Sequence, residues 1–182
     1  MLNDIELQKK VEILTNKLKL GLFKEVVDES KILLKKRKHQ VLFNLLSLSY
    51  QSLGQNDKSV EIMEIALKAN PKNPHFLNNI GLSHFKLSNF KEAETYFKRG
   101  LAEAPKYISI LNNLGNLKGY LNLNKSAIEY FNKILKINDK LIEPYFNLAI
   151  NYQALGEFEK SSECLKKILE LNPKFTDADR IL

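Results

Sequence analysis

The sequence predicts an all-α fold, a solenoid of antiparallel helix pairs, and three observations carry that expectation. Sliding the 182-residue chain against itself by 34 positions aligns LNNIG (Leu77 to Gly81) with LNNLG (Leu111 to Gly115), and the match extends well beyond both. Large apolar residues recur three and four apart with one small residue among them, which is the stripe of a helix that lets a neighbour approach closely. Breaker runs separate the stripes: LGQND at 53–57, LSNF at 87–90, LNLN at 121–124 and LGEF at 155–158. Thirty-four residues less two short turns leave about 14 per helix, roughly four turns each.

Residues 1–39 read as a degenerate first unit or cap. Its LGLFKEVV segment places Gly21 and Val26 where LGEF places Gly156 and Ser161, and Lys9, Lys10, Glu12 and Lys17 suit an end with one face in water. Residues 40–73 form the next unit, with Phe43, Leu46 and Ser47 on its first helix, Ser59 and Met63 on its second, and Pro71 at its close. Residues 74–107 repeat that register as Leu77, Ile80, Gly81, Ala93, Phe97 and Pro105, and 108–141 as Leu111, Leu114, Gly115, Ala127 and Phe131, with Asp139 in the proline position. Residues 142–175 carry Tyr145, Leu148, Ala149, Ser161, Leu165 and Pro173, and 176–182 read as the start of a further, truncated helix.

These positions resemble the tetratricopeptide repeat (TPR), whose pattern runs aromatic or Leu, Leu, Gly, Tyr, then Ala, Phe, Ala and Pro. In the third unit Leu77, Ile80, Gly81, His84, Ala93, Phe97, Gly100 and Pro105 fill those places in order. Tyr50 and Tyr152 keep the tyrosine in the second and fifth units, whereas Lys118 replaces it in the fourth. The resemblance implies a right-handed superhelical array of about five repeats. It further implies a concave side, lined by the first helix of each pair, that binds extended peptides or partner segments.

Composition narrows the function. A net charge of +7 admits nucleic acid as a partner, but the only arginines are Arg37, Arg99 and Arg180, so the planar fork that grips phosphate is scarce and nucleic acid is disfavoured. A single cysteine, Cys164, allows no disulfide within the chain. MLNDIELQKKVEIL has neither the basic nor the apolar region of a signal peptide, and no apolar run approaches the ~18 residues of a membrane span, so the expectation is a cytoplasmic protein without membrane contact. There is no Gly-rich phosphate loop, no metal-ligand spacing and no nucleophile beside a base. The reading is therefore non-catalytic, with no cofactor and no metal.

The candidate binding residues are the asparagines of the first helices. Asn79, Asn113 and Asn147 each precede the second packing residue and stand 34 apart; Asn44, Asn78 and Asn112 form a row one residue earlier that ends at Phe146, and Asn116 and Tyr120 lie further along one of these helices. An amide both donates and accepts, so a row of amides can pair with the N–H and C=O groups of an extended peptide whatever its side chains. Solvation or hydrogen bonding between repeats is the competing explanation. The row resembles the ladder in the superhelical repeats of the O-linked N-acetylglucosamine transferase family. The basic clamp that repeat proteins use for chaperone C-termini is not matched, because Asn78, Leu82, Asn113, Glu143 and Asn147 fill its positions.

Two further expectations concern the C-terminal end. Apolar surface on the last complete unit would be covered by a following helix or by a second copy of the chain, making a homodimer. NPKFTDADRIL also resembles the passage from such an array into the catalytic part of sulfotransferase- or glycosyltransferase-like bacterial proteins. An N-terminal recruitment module of a larger enzyme is thus the alternative to a free-standing scaffold.

Overall fold

The computed structural model describes residues 3–173, so the FTDADRIL segment and the expected truncated helix at 176–182 lie outside the described residues. The described chain is all-helical: α1 (Asp4–Lys19), α2 (Phe23–Lys36), α3 (Gln40–Ser52), α4 (Asn56–Ala69), α5 (Pro74–Lys86), α6 (Phe90–Glu103), α7 (Ile108–Tyr120), α8 (Asn124–Ile137), α9 (Ile142–Ala154) and α10 (Phe158–Leu171). It divides into two compact units, the first holding α1–α6 and the second α7–α10. Within each, every helix packs on the next, and first helices also touch first helices: α1 on α3, α3 on α5, α7 on α9.

The hairpin turns share one backbone device. Each places a single residue at positive φ: Gly21 (77°), Gly54 (73°), Ser88 (61°), Asn122 (57°) and Gly156 (74°). Glycine adopts this conformation without a Cβ penalty, and asparagine tolerates it better than most residues, so LG, LS and LN at the turns are chemically equivalent spellings of one instruction. Entry into α5 is fixed differently. Asn73 Oδ1 accepts from the backbone N–H of His75 (2.9 Å) and of Phe76 (3.3 Å), while Pro74 at the first helical position needs no partner for a missing N–H. At the start of the chain Asn3 and Glu6 exchange side chain to backbone bonds in a capping box.

The small residues in the stripes allow the helices of a pair to close on each other. A Cβ added to Gly81 would lie 2.6 Å from the Phe97 ring and 3.2 Å from the Ala93 carbonyl oxygen, and one on Gly115 would lie 2.6 Å from the Phe131 ring. Phe97 and Phe131 are each 1 % exposed. In the first unit the core continues through Leu14, Val26, Leu42 and Leu45 beneath α1 and α2, and through Phe43, Met63, Leu77 and Ile80 across α3, α4 and α5. In the second, Leu111, Leu114, Leu117, Phe131 and Ile134 are buried between α7 and α8, and Ala149, Leu165 and Ile168 between α9 and α10.

Cys164, half-buried on α10, is a packing residue rather than a reactive one. Burial, with a smaller contribution from Glu163, pushes its thiol up to about 11. A raised acid pKa means the neutral thiol persists at pH 8. Modification by a disulfide reagent there is expected to run at least about tenfold slower than for an unfolded cysteine and to catch up when the protein is unfolded in urea. Equal rates in the native and unfolded protein would contradict the packing role.

Candidate partner-binding face

The amides proposed from the sequence fall on the faces where first helices meet. In the first unit Asn44 of α3 and Asn79 of α5 are half-buried, and Asn79 Nδ2 donates to Asn44 Oδ1 at 3.2 Å. Asn78, one residue earlier on α5, is only 8 % exposed. The neighbouring turn of α3 and α5 carries a second polar group that residue spacing did not single out. Gln51 Nε2 donates to Ser83 Oγ (2.8 Å) and to the Asn79 carbonyl (3.1 Å), and Ser59 Oγ lies 2.8 Å from Ser83 Oγ and 2.7 Å from Ser47 Oγ. Gln51, Ser47, Ser59 and Ser83 are all buried, so this cluster ties α3, α4 and α5 together inside the core.

In the second unit the pairing takes the same diagonal form. Asn147 Nδ2 on α9 contacts Asn112 Oδ1 (3.5 Å) and Asn116 Oδ1 (3.4 Å) of α7, and Asn112 Nδ2 donates to Glu143 Oε1 at 2.9 Å. The first two are long and individually weak; the third has a charged acceptor and is the strong member. The spacing of 35 explains the diagonal. A residue on one first helix meets the residue one place earlier in the previous repeat, so the two asparagine rows interlock with each other. Part of their hydrogen-bonding capacity is therefore used between repeats.

What stays accessible lies beside that network. A cavity of about 380 Å³ opens over α7 and α9, with Ser109, Asn112, Asn113 and Glu143 as its polar wall and Ile108, Ile134, Ile142 and Pro144 as its apolar one. Asn116 is exposed and Tyr120 is 63 % exposed on α7, while Asn113 and Phe146 are half-buried. This mixture of carboxylate, amides and apolar surface can hold a polypeptide. It contains no assembled nucleophile and base, and among the described residues no group of three His, Cys, Asp or Glu side chains could hold a metal ion. No described helix is long and apolar enough to cross a membrane.

Comparison with known proteins fits this architecture. Three family models, each described as tetratricopeptide repeat, match residues 44–108, 108–141 and 142–175. A 47-residue stretch is 43 % identical to Photosystem I assembly protein Ycf3 from Prochlorococcus marinus subsp. pastoris, covering 26 % of this chain and 27 % of that protein. Among solved structures, TTC0263, a thermophilic TPR protein in Thermus thermophilus, superposes with a TM-score of 0.80 at 17 % identity, covering 96 % of each chain. YrrB, described as a TPR protein with an unusual peptide-binding site, superposes with a TM-score of 0.70 at 15 % identity, covering 93 % of this chain and 88 % of its own. The three family models follow one another from residue 44 to residue 175, and the chain belongs to the tetratricopeptide-repeat family.

Proposed function

We propose that the protein is a non-catalytic protein–protein interaction scaffold that holds an extended segment of a partner along the face built by α7 and α9. The observation that carries this reading is the 380 Å³ cavity bounded by Asn112, Asn113 and Glu143. Asn112 Nδ2 is already directed to Glu143 and its Oδ1 to Asn147, so these side chains are held in place before a ligand arrives and little conformational freedom is lost on binding. Exposed Asn116 uses its Oδ1 to accept from Asn147, which leaves its Nδ2 as the group to offer a ligand. The apolar wall of Ile108, Ile142 and Pro144 suits an alternate side chain of the bound strand. An assembly protein, Ycf3, and a TPR protein with a peptide-binding site, YrrB, among the similar proteins agree with a scaffold of this kind.

Extended peptides selected from a displayed random library on the full chain are the test. Three amide contacts at about 0.5–1.5 kcal/mol each correspond to a loss of about ten- to a thousandfold in affinity. Selected peptides are expected to weaken by at least about tenfold on the Asn112→Ala/Asn113→Ala/Asn147→Ala variant while its helical circular dichroism is unchanged. Undiminished binding would remove these amides from the site.

A further inference from the structure

A second cavity, of about 450 Å³, lies in the first unit on a different face of α3 from Asn44. Phe43, Leu46 and Tyr50 of α3 form its floor, and it opens between α2 and α4. Leu34 of α2 and Ile62 and Ile65 of α4 extend the apolar surface, and Ile65 is 48 % exposed. The volume falls within the ~300–1,000 Å³ of ligand-binding clefts.

The pair of helices one repeat further on shows what this slot lacks. Thirty-four residues after Ile62 stands Tyr96, and 34 after Tyr50 stands His84. The Tyr96 ring stacks on His84 with centroids 5.5 Å apart and planes 14° apart. Its hydroxyl reaches Glu64 of α4 at 3.5 Å, and the Arg99 guanidinium lies 5.1 Å from the ring centroid. Tyr96 thus fills its own gap and joins the two flanking helices. Ile62 has neither the ring nor the polar tip, and the gap between α2 and α4 stays open.

The rim is charged on one side of the balance. Lys31 and Lys35, one turn apart on α2, Lys38 in the following link and Lys58 on α4 are all exposed at the cavity, against the single carboxylate of Glu61. Lys31 Nζ and Lys58 Nζ stand 5.6 and 5.9 Å from the centroid of the Tyr50 ring, so both amines are drawn over the floor from opposite walls. Lys35 sits in the last turn of α2, as Lys68 and Lys136 sit in the last turns of α4 and α8, where the helix dipole favours a base; Lys31 and Lys58 have no such place. The lysines at the slot enclose unfilled apolar surface, which asks for an occupant that is apolar in the middle and anionic at its edges.

We propose that this slot docks an acidic amphipathic helix of a partner protein, with a large apolar side chain entering between α2 and α4 where Tyr96 enters in the next pair. Carboxylates one turn apart on that helix meet Lys31 and Lys35 on one wall, and another meets Lys58 on the other. The site is separate from the amide face of α7 and α9 and does not depend on it.

The test uses the full chain and fluorescein-labelled synthetic helical peptides with leucines on one face, flanked either by glutamates or by lysines. Anisotropy is expected to report binding of the glutamate peptide only, weakening as salt rises from about 0.05 to 0.5 M. Ile62→Tyr, which installs the missing plug, and Lys31→Glu/Lys35→Glu, at exposed positions, are each expected to weaken it at least about tenfold. Lys140→Glu/Lys166→Glu, the same charge change at residues of the second unit that do not line the slot, should leave the affinity as it was. The proposal is overturned if both peptides bind alike, if the Lys31/Lys35 variant binds the glutamate peptide as well as the parent does, or if phosphatidylserine vesicles bind the chain through these lysines and the peptide does not.

Discussion

Truncating Phe97 to alanine is expected to lower the free energy of unfolding by about 3–5 kcal/mol. The ring is 1 % exposed and faces a glycine so closely that no side-chain atom fits between them. The converse change, Gly81→Ala, should cost about 1–3 kcal/mol, because its new methyl would meet the ring at 2.6 Å and the Ala93 carbonyl, which is backbone, at 3.2 Å. The pair is diagnostic. In the Phe97→Ala background the space left by the ring admits the methyl, so Gly81→Ala should become nearly neutral there, a coupling of about 1 kcal/mol or more in urea titrations followed by circular dichroism. Strictly additive losses would mean that the contact does not hold α5 against α6.

Replacing Gln51 by leucine, which nearly preserves volume, is expected to cost about 2–3 kcal/mol although no charge and little apolar surface is lost. Its amide donates to Ser83 Oγ and to the Asn79 carbonyl inside the core; Ser83 Oγ also reaches that carbonyl at 2.9 Å, but the substitution takes one donor from each and sets an apolar side chain among buried hydroxyls. Removing the hydroxyls as well, in Gln51→Leu/Ser47→Ala/Ser59→Ala/Ser83→Ala, should recover part of the loss, since a cluster without polar side chains carries no desolvation penalty. Urea midpoints of the three proteins decide it. A quadruple variant less stable than the single one by the sum of three further truncations would show that the serines are held by packing alone.

The repeat architecture was legible because its causes are local and periodic. Leu77, Ile80, Gly81 and Phe97 announce their roles through spacing, and the register even records volume complementarity: glycine stands where the facing position is Phe97 or Phe131, whereas Ser47 and Ala149 stand in register with Met63 and Leu165. The family followed from the same residues. The candidate site was legible only as a set of positions. Spacing placed Asn44, Asn79, Asn112 and Asn147 on first helices, but whether an amide points to a ligand or to another amide depends on how far one pair is displaced against the next, and that offset has no signature in a single repeat. The diagonal bond from Asn79 to Asn44 is its result. Gln51 was passed over because its register position is not uniform: Gln153 repeats it in the last pair, but Phe85 and Gly119 stand there in the two between. The slot between α2 and α4 was invisible for a related reason: it is created by a ring that Ile62 does not have.

The recurring turn residue has a genetic consequence. From Gly54 onward the positive-φ positions are spaced by 34, whereas Gly21 and Gly54 are separated by 33. Duplicating a block of 34 codons downstream of Gly54 would therefore insert a complete helix hairpin with its reversal already correctly spelled. Copying the shorter block that begins at Gly21 would instead set a unit one residue short among units of full length, where the meeting of successive first helices slips by one residue, about 100° around the helix. Lengthening of the array by unequal crossing-over should therefore be tolerated between Gly54 and Gly156 and penalised across the block from Gly21 to Gly54.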